Sequence, residues 1–279
     1  MNHLPKTVLC IHDLPGFGRA GLSVIVPVLS ALGVQAVALP TTVLSSHTGG
    51  LGTPIRMSDP TYGPAALEHY RRLGVRFDCI YSGYLANLGQ ARLVEQAMEW
   101  WPDAVKVVDP VMGDHGRMYR GLLPELVPAL HRLCGKADVI LPNMTEAALL
   151  LGEPMPGTEG ECADLSHAAT QAAQLTGLCP HVLVTGVVEG HSIVCAGESC
   201  SEGTYTVRTP LVPRMFHGTG DIFGAAFVGR LMQGNVPQAA AQAAAAFVGD
   251  CIRATPEGAD ERLGVWLEAV LPRLMLERG

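Results

Sequence analysis

The sequence predicts an α/β protein, a three-layer α/β/α sandwich around a mostly parallel central sheet, with no large separate lid domain. Three observations carry this expectation. Short β-rich apolar runs alternate with longer amphipathic or alanine-rich runs along nearly the whole chain, the signature of strand–helix–strand units. Polar, glycine-containing clusters recur directly after the β-rich runs, where an open parallel sheet exposes its ligand-binding edge. The 279 residues contain neither a linker nor an internal repeat, which suits a single domain over 1–279 with a sizeable core.

In chain order, residues 7–11 form a first strand that ends in His12-Asp13, and a glycine-rich loop leads into a helix over 22–32. The loop, Gly16-Phe17-Gly18-Arg19-Ala20-Gly21, fits the dinucleotide fingerprint G-x-G-x-x-G. That fingerprint needs an acid about 20 residues on to hold a ribose, and no Asp or Glu lies between Asp13 and Asp59, so this reading is set aside. A second strand over 34–39 precedes the polar stretch 41–50, read as a loop or flap over a site. Helices over 62–73, 90–101, 122–133 and 165–175 then alternate with strands over 79–81, 105–108, 139–141 and 181–184. Between them, Pro142-Asn143-Met144-Thr145-Glu146 opens an apolar helical run at 147–151 that Asn143 or Thr145 can cap, with Glu146 in its first turn. Residues 192–196 and 204–209 read as a hairpin, and the last third is helical over 221–231, 237–252 and 262–276.

Composition narrows the function classes. With 19 basic and 26 acidic residues the net charge is −7, without basic runs, which speaks against nucleic acid and for small-molecule work. No apolar run approaches the roughly 20 residues of a membrane helix, so no membrane association is expected. The start of the chain lacks a secretory apolar segment, and a cytoplasmic location is expected. The eight cysteines show no C-x-x-C pair and read as reduced, mostly buried thiols, and the dispersed histidines suggest no metal cluster.

Chemistry concentrates in Phe216-His217-Gly218-Thr219-Gly220-Asp221. Two glycines around a threonine, followed by an acid and a small-residue helix, would leave helix-start N–H groups open to an anion. A carboxylate beside such a nest suits a proton acceptor for an attacking hydroxyl, although a first-turn acid stabilised by the helix dipole gives the same pattern. Asp109, with Asp114 five residues on, and Glu146 supply carboxylates of the kind that hold Mg²⁺ together with nucleotide oxygens, or that open a turn and a helix. Thr185-Gly186 could donate to a phosphate or simply end a strand. His47 and Tyr84 could bracket a flat ring, or be a solvated loop histidine and a half-buried tyrosine. Trp100 and Trp101 read as packing residues.

Five motifs in order, Ser82-Gly83-Tyr84, Asp109-Pro110-Val111-Met112-Gly113, Pro142-Asn143-x-x-Glu146, Val184-Thr185-Gly186 and Gly218-x-Gly220-Asp221, resemble those of the ribokinase-like superfamily and its pyridoxal kinase branch. The resemblance spans residues 8–252, and the last three motifs are shared with sugar and hydroxymethylpyrimidine kinases. It implies ATP-dependent phosphorylation of the 5′-hydroxymethyl group of pyridoxal, pyridoxine or pyridoxamine. Asp221 would be the catalytic base and the Gly218, Thr219, Gly220 backbone the anion hole. It also implies Mg²⁺ at Asp109 and Glu146, partly through water, with Asn143, Thr185 and Gly186 toward the ATP phosphates. Thr42, His47 and Tyr84 match positions around the pyridine ring, and a homodimer is expected. The residues leave open whether a monovalent cation is required. Asp13 falls where many pyridoxal kinases carry serine, although one bacterial branch resembles this chain; a carboxylate there favours a protonated ring nitrogen. Hydroxymethylpyrimidine kinase is the alternative enzyme, and a carrier of a B6 vitamer the alternative outside catalysis.

Overall fold

The computed structural model describes residues 4–155 and 164–276. Its strands are β1 (Thr7–Pro15), β2 (Gln35–Leu44), β3 (Arg56–Met57), β4 (Cys79–Ser82), β5 (Val105–Val108), β6 (Gly113–Asp114), β7 (Arg117–Met118), β8 (Val139–Ile140), β9 (His181–Glu189), β10 (Ser192–Ser199) and β11 (Gly203–Pro210). Its helices are α1 (Leu22–Ala31), α2 (Tyr62–Arg72), α3 (Leu88–Trp100), α4 (Leu126–Cys134), α5 (Met144–Leu151), α6 (Leu165–Leu175), α7 (Thr219–Met232), α8 (Pro237–Ala254) and α9 (Leu271–Leu276). Nine strands form one sheet in the order β11-β10-β9-β8-β5-β4-β1-β2-β3, parallel from β9 to β2 and antiparallel at both edges. The expected helix-covered, mostly parallel sheet is what forms.

Alternation along β1 explains the layers. Leu9 and Ile11 face one core with α3, α4, α5 and α6, whereas Val8 and Cys10 face the other with α1, α7 and α8. All four are fully buried. Complete burial of a large aliphatic side chain contributes about 1.5–3 kcal/mol, which helps β1 to carry His12 and Asp13 inward at its end. In α8 the buried alanines 240, 241, 244 and 245 form a small-residue face that lets the helix approach α7 and β11 closely.

The connection after β1 goes by α1 to β2 on one side, while β4 pairs with β1 on the other. The order of the sheet therefore reverses at β1, and a crevice opens at the carboxyl ends of β1 and β4.

Several boundaries differ from expectation. Thr41 and Thr42 belong to β2 and are buried, so only the stretch beyond Leu44 is loop; pairing with β1 continues past a bulge between His12 and Leu14 and overrides the polar local composition. β9 runs on through Thr185 and Gly186 to Glu189 because β10 pairs with it. The fourth long helix starts at Leu126 rather than 122. The small hairpin β6–β7 has no counterpart in the expected elements. The helix expected over 262–276 is instead two 3-10 turns, Glu261–Leu263 and Leu267–Ala269, followed by the short α9, with Gly264 at φ 79° breaking the run. Among the described residues, no helix is long and apolar enough to cross a membrane. Cys10, Cys79, Cys134, Cys179, Cys195 and Cys251 are free and buried, as expected, and Cys200 is exposed; Cys162 lies outside the described residues.

Candidate active site

At the end of β1 a histidine sits between two acids. His12 Nδ1 is 2.5 Å from Asp13 Oδ1, and Nε2 is 3.1 Å from Asp221 Oδ1. Asp221 occupies the first turn of α7, and its other oxygen accepts the Gly21 N–H at 2.7 Å. Gly21 can present that N–H because its backbone, φ 56° and ψ −145°, suits glycine. A Cβ there would also lie 2.5 Å from the Asp13 carbonyl oxygen. The Asp221 side chain keeps 16% of its exposure, enough to meet a ligand in the crevice.

The start of α7 is built for an outside acceptor. Gly218 is left-handed at φ 80°, no side chain caps the helix, and the Thr219 hydroxyl donates instead to the Phe216 carbonyl at 3.2 Å. The first-turn N–H groups of a helix have no intrahelical partner, and with the dipole they favour an anion. Around Gly220 the position of an added Cβ meets open space.

Charge is distributed unevenly over these groups. Burial works to lower the His12 pKa, but Asp221 and Asp13 outweigh it and push it up to about 10. Burial works to raise Asp221, yet His12 and the Gly21 N–H hold its carboxyl below the ordinary range. Asp109, just beyond β5, is pushed up to about 7 by burial and by repulsion from Asp221, with His12 pulling the other way. Burial and then the Asp109 charge raise Glu146 well above its ordinary value, against the N–H groups of Asn143, Met112 and Gly113 that its oxygens accept.

Two nearby buried carboxyls with raised pKa values are donor chemistry that suits a cation. Mg²⁺ takes one or two protein carboxylates and completes its shell with water and phosphate oxygens. Among the described residues no group of three or more His, Cys, Asp or Glu side chains gathers as a metal cage. Glu146 is committed to three backbone N–H groups, so a direct bond would fall to Asp109 and a water-mediated one to Glu146.

The other expected residues are placed as follows. Asn143 caps α5 in a capping box with Glu146, and its amide donates to the Gly113 carbonyl at 2.8 Å, so both residues anchor the Asp109-to-Gly113 segment. Thr185 lies in a parallel bridge beside Asn143, and Gly186 follows at φ 78°. Tyr84 is half-buried next to His12, its N–H 3.1 Å from Nε2. The Thr42 hydroxyl accepts from Gln90 Nε2 at 3.2 Å, which leaves its own proton available. His47 is buried rather than solvated: Nδ1 accepts the Gly49 N–H, Nε2 bonds the Arg262 carbonyl at 2.6 Å, and the ring lies 5.3 Å from that of His217. Its ring nitrogens are thus engaged within the chain.

Sequence reasoning missed three contributors. His12 was visible only as the residue before Asp13. Gly21 was the last glycine of a misleading fingerprint. Arg19 receives support from the C-terminal segment: its N–H donates to the Leu263 carbonyl, its guanidinium pairs with Glu268, and its carbonyl lies against Gly218.

The sheet order, with an acid at the start of α7, Asp109 beyond β5 and Glu146 at the start of α5, is that of a ribokinase-like α/β/α fold. More closely, the chain belongs to the phosphomethylpyrimidine kinase family, which it matches over residues 17–265. It is 30% identical over 251 residues to the pyridoxal kinase PdxY of Deinococcus radiodurans, an alignment covering 85% of this chain and 83% of that one. The pyridoxal kinase of Lactobacillus plantarum is similar with a TM-score of 0.87 and 32% identity, covering 98% of this chain and 97% of that one. That of Leishmania donovani, in complex with ADP and pyridoxamine, gives 0.81 and 26%, covering 96% and 95%.

Proposed function

We propose that the chain is an ATP-dependent pyridoxal kinase that phosphorylates the 5′-hydroxymethyl group of a vitamin B6 vitamer. The observation that carries this reading is the ionised, partly exposed Asp221 at an uncapped helix start, set against His12 at the carboxyl end of β1. In this reading Asp221 accepts the proton of the substrate hydroxyl, and the N–H groups of Gly218, Thr219 and Gly220 stabilise charge on the transferring phosphoryl. Asp13 would face the ring nitrogen, favouring its protonated form, with Thr42 and Tyr84 around the ring and His47 closing its edge. Asp109 and Glu146 would hold Mg²⁺, with Asn143, Thr185 and Gly186 on the nucleotide side. A Mg²⁺ ion bound there neutralises charge on the phosphate oxygens. A cytoplasmic homodimer of one domain completes the proposal, and sedimentation of the purified protein checks its assembly.

The name of the family favours a second reading, a hydroxymethylpyrimidine kinase, since that alcohol offers a similar flat ring. Turnover with ATP on pyridoxal, hydroxymethylpyrimidine and ribose separates the readings. Pyridoxal is expected to exceed the others in kcat/KM by roughly tenfold or more, about the discrimination that one or two well-placed polar contacts supply. A preference for the pyrimidine or for ribose removes the B6 assignment.

Gly220 offers a test of the anion hole without damage to the fold. Gly220→Ala adds a methyl in open space and a better helix former, so stability should stay level or rise by up to about 1 kcal/mol. Turnover should fall by roughly tenfold or more, as the methyl crowds the group that the helix start must receive. Unchanged kcat would take Gly220 out of the anion hole.

A further inference from the structure

We infer that His12 is a positioning residue of the phosphoryl transfer: as an imidazolium it joins Asp13 and Asp221 into one hydrogen-bonded unit and fixes the base toward the crevice. The inference rests on the assignment of Asp221 as that base.

The hydrogen-bond count decides the charge of the ring. A neutral imidazole has one N–H. If Nδ1 carries it, Nε2 points a lone pair at Asp221 Oδ1 only 3.1 Å away; if Nε2 carries it, Nδ1 points a lone pair at Asp13 Oδ1 at 2.5 Å. Only the protonated ring gives each carboxylate a donor. The Asp13 and Tyr84 N–H groups, 2.9 and 3.1 Å from Nδ1 and Nε2, then lose the ring as an acceptor. Two charge-assisted bonds, each roughly twice as strong as a neutral one, outweigh that loss.

The surroundings keep the ring in place. His12 is buried, with 3% of its side chain exposed, and a Cβ at Gly83 would lie 2.1 Å from the ring, so glycine is required where β4 ends beside it. The charged groups that act on it are Asp13 on its own strand, Asp221 on α7 and Asp109 beyond β5, so one imidazolium stands among three acids. The Tyr81 hydroxyl of β4 and His47 of the loop after β2 lie within electrostatic reach of Asp221. Without the imidazolium, burial and the Asp109 charge would favour protonation of Asp221.

A base held below its ordinary pKa is a weak one, and this suits the reaction. Phosphoryl transfer passes through a loose transition state in which the hydroxyl proton leaves late, so an oriented, ionised acceptor matters more than a strong one. His12 also connects the end of the pocket that would meet a ring nitrogen with the end that meets the hydroxyl.

The test combines a variant with a spectroscopic reading of the parent protein. In His12→Gln a hydrogen bond to Asp221 remains possible but the charge is gone. The acid limb of the kcat profile should move up by at least about one pH unit, so the loss in kcat should be at least about twofold larger at about pH 4.5 than at about pH 7.5, and the KM for ATP should stay within about twofold. A loss of equal size at every pH, with the limb unmoved, overturns the proposal, as does parental behaviour. In parallel, ¹⁵N-histidine NMR of the parent should show both His12 nitrogens protonated at pH 7.5, and a neutral ring there overturns it whether or not the variant folds. If the parent prefers hydroxymethylpyrimidine, the profiles are recorded on that alcohol. If it phosphorylates nothing, the kinase reading falls while NMR still decides the charge of His12.

Discussion

Replacing Asp221 by asparagine should lower kcat by roughly a thousandfold, within the range for loss of a positioned general base, while vitamer affinity stays within a few-fold of the parent. Asparagine keeps an oxygen for the Gly21 N–H and nearly the same volume, so the start of α7 should persist. In the proposed mechanism, what disappears is the acceptor for the substrate proton. ATP consumption with pyridoxal, measured beside pyridoxal binding by calorimetry, checks this; equal rates would remove Asp221 from the mechanism, and a vitamer carrier without catalysis would show no ATP consumption in either protein. The substitution also has a signature in stability. The carboxyl of Asp221 is held below its ordinary range in the folded chain, so its ionised form stabilises the fold above the usual carboxylate pKa, and that contribution fades as pH falls through the folded value. The parent should therefore lose stability on acidification more steeply than the asparagine variant, as read from melting temperatures between about pH 5 and pH 2.5.

Gly218→Ala should damage both fold and activity. Gly218 is left-handed at φ 80°, and a Cβ there would lie 1.9 Å from the Arg19 carbonyl oxygen and 2.9 Å from its carbon. Left-handed backbone alone costs an alanine about 1 kcal/mol, and backbone strain at such sites reaches about 3 kcal/mol. The clash adds to this because the Arg19 loop cannot simply retreat: its N–H is bonded to Leu263 and Gly264 packs against it. Moving that loop also moves Gly21, whose N–H orients Asp221. We expect a melting temperature lower by several degrees and kcat lower by roughly a hundredfold or more, as follows from misplacing an oxyanion-type site. A variant with parental stability and turnover would show that the close approach of Arg19 and Gly218 is dispensable.

Much of this molecule could be read from local pattern, and the reason is that local pattern is what local physics sets. The strand–helix alternation follows from periods of two and of about 3.6 residues, each fixed by the backbone of a few neighbours. The helix starting at Thr219 was legible from its glycines and its first-turn acid, and the cap of α5 from Asn143 and Glu146. Glu146, read as a metal-side acid, proves to spend its oxygens on three backbone N–H groups, a commitment that depends on where Met112 and Gly113 arrive.

Other features depended on parts of the chain far apart in sequence. Thr41 and Thr42 look like loop, yet pairing with β1 draws them into a strand. Residues 262–276 look like one helix, yet the segment is bent around Gly264 to support Arg19 and to meet His47 through the Arg262 carbonyl. His12 and Asp13 are neighbours in sequence, but the acid that completes their unit arrives on α7, in the last third of the chain. The sequence by itself determined the fold class, the helix start that invites an anion and the acid that stands on it, because each is specified within a few residues. Only the tertiary structure decided which groups share a proton, which glycines must stay bare and which polar side chains are already engaged, because those follow from distances between elements that the sheet brings together.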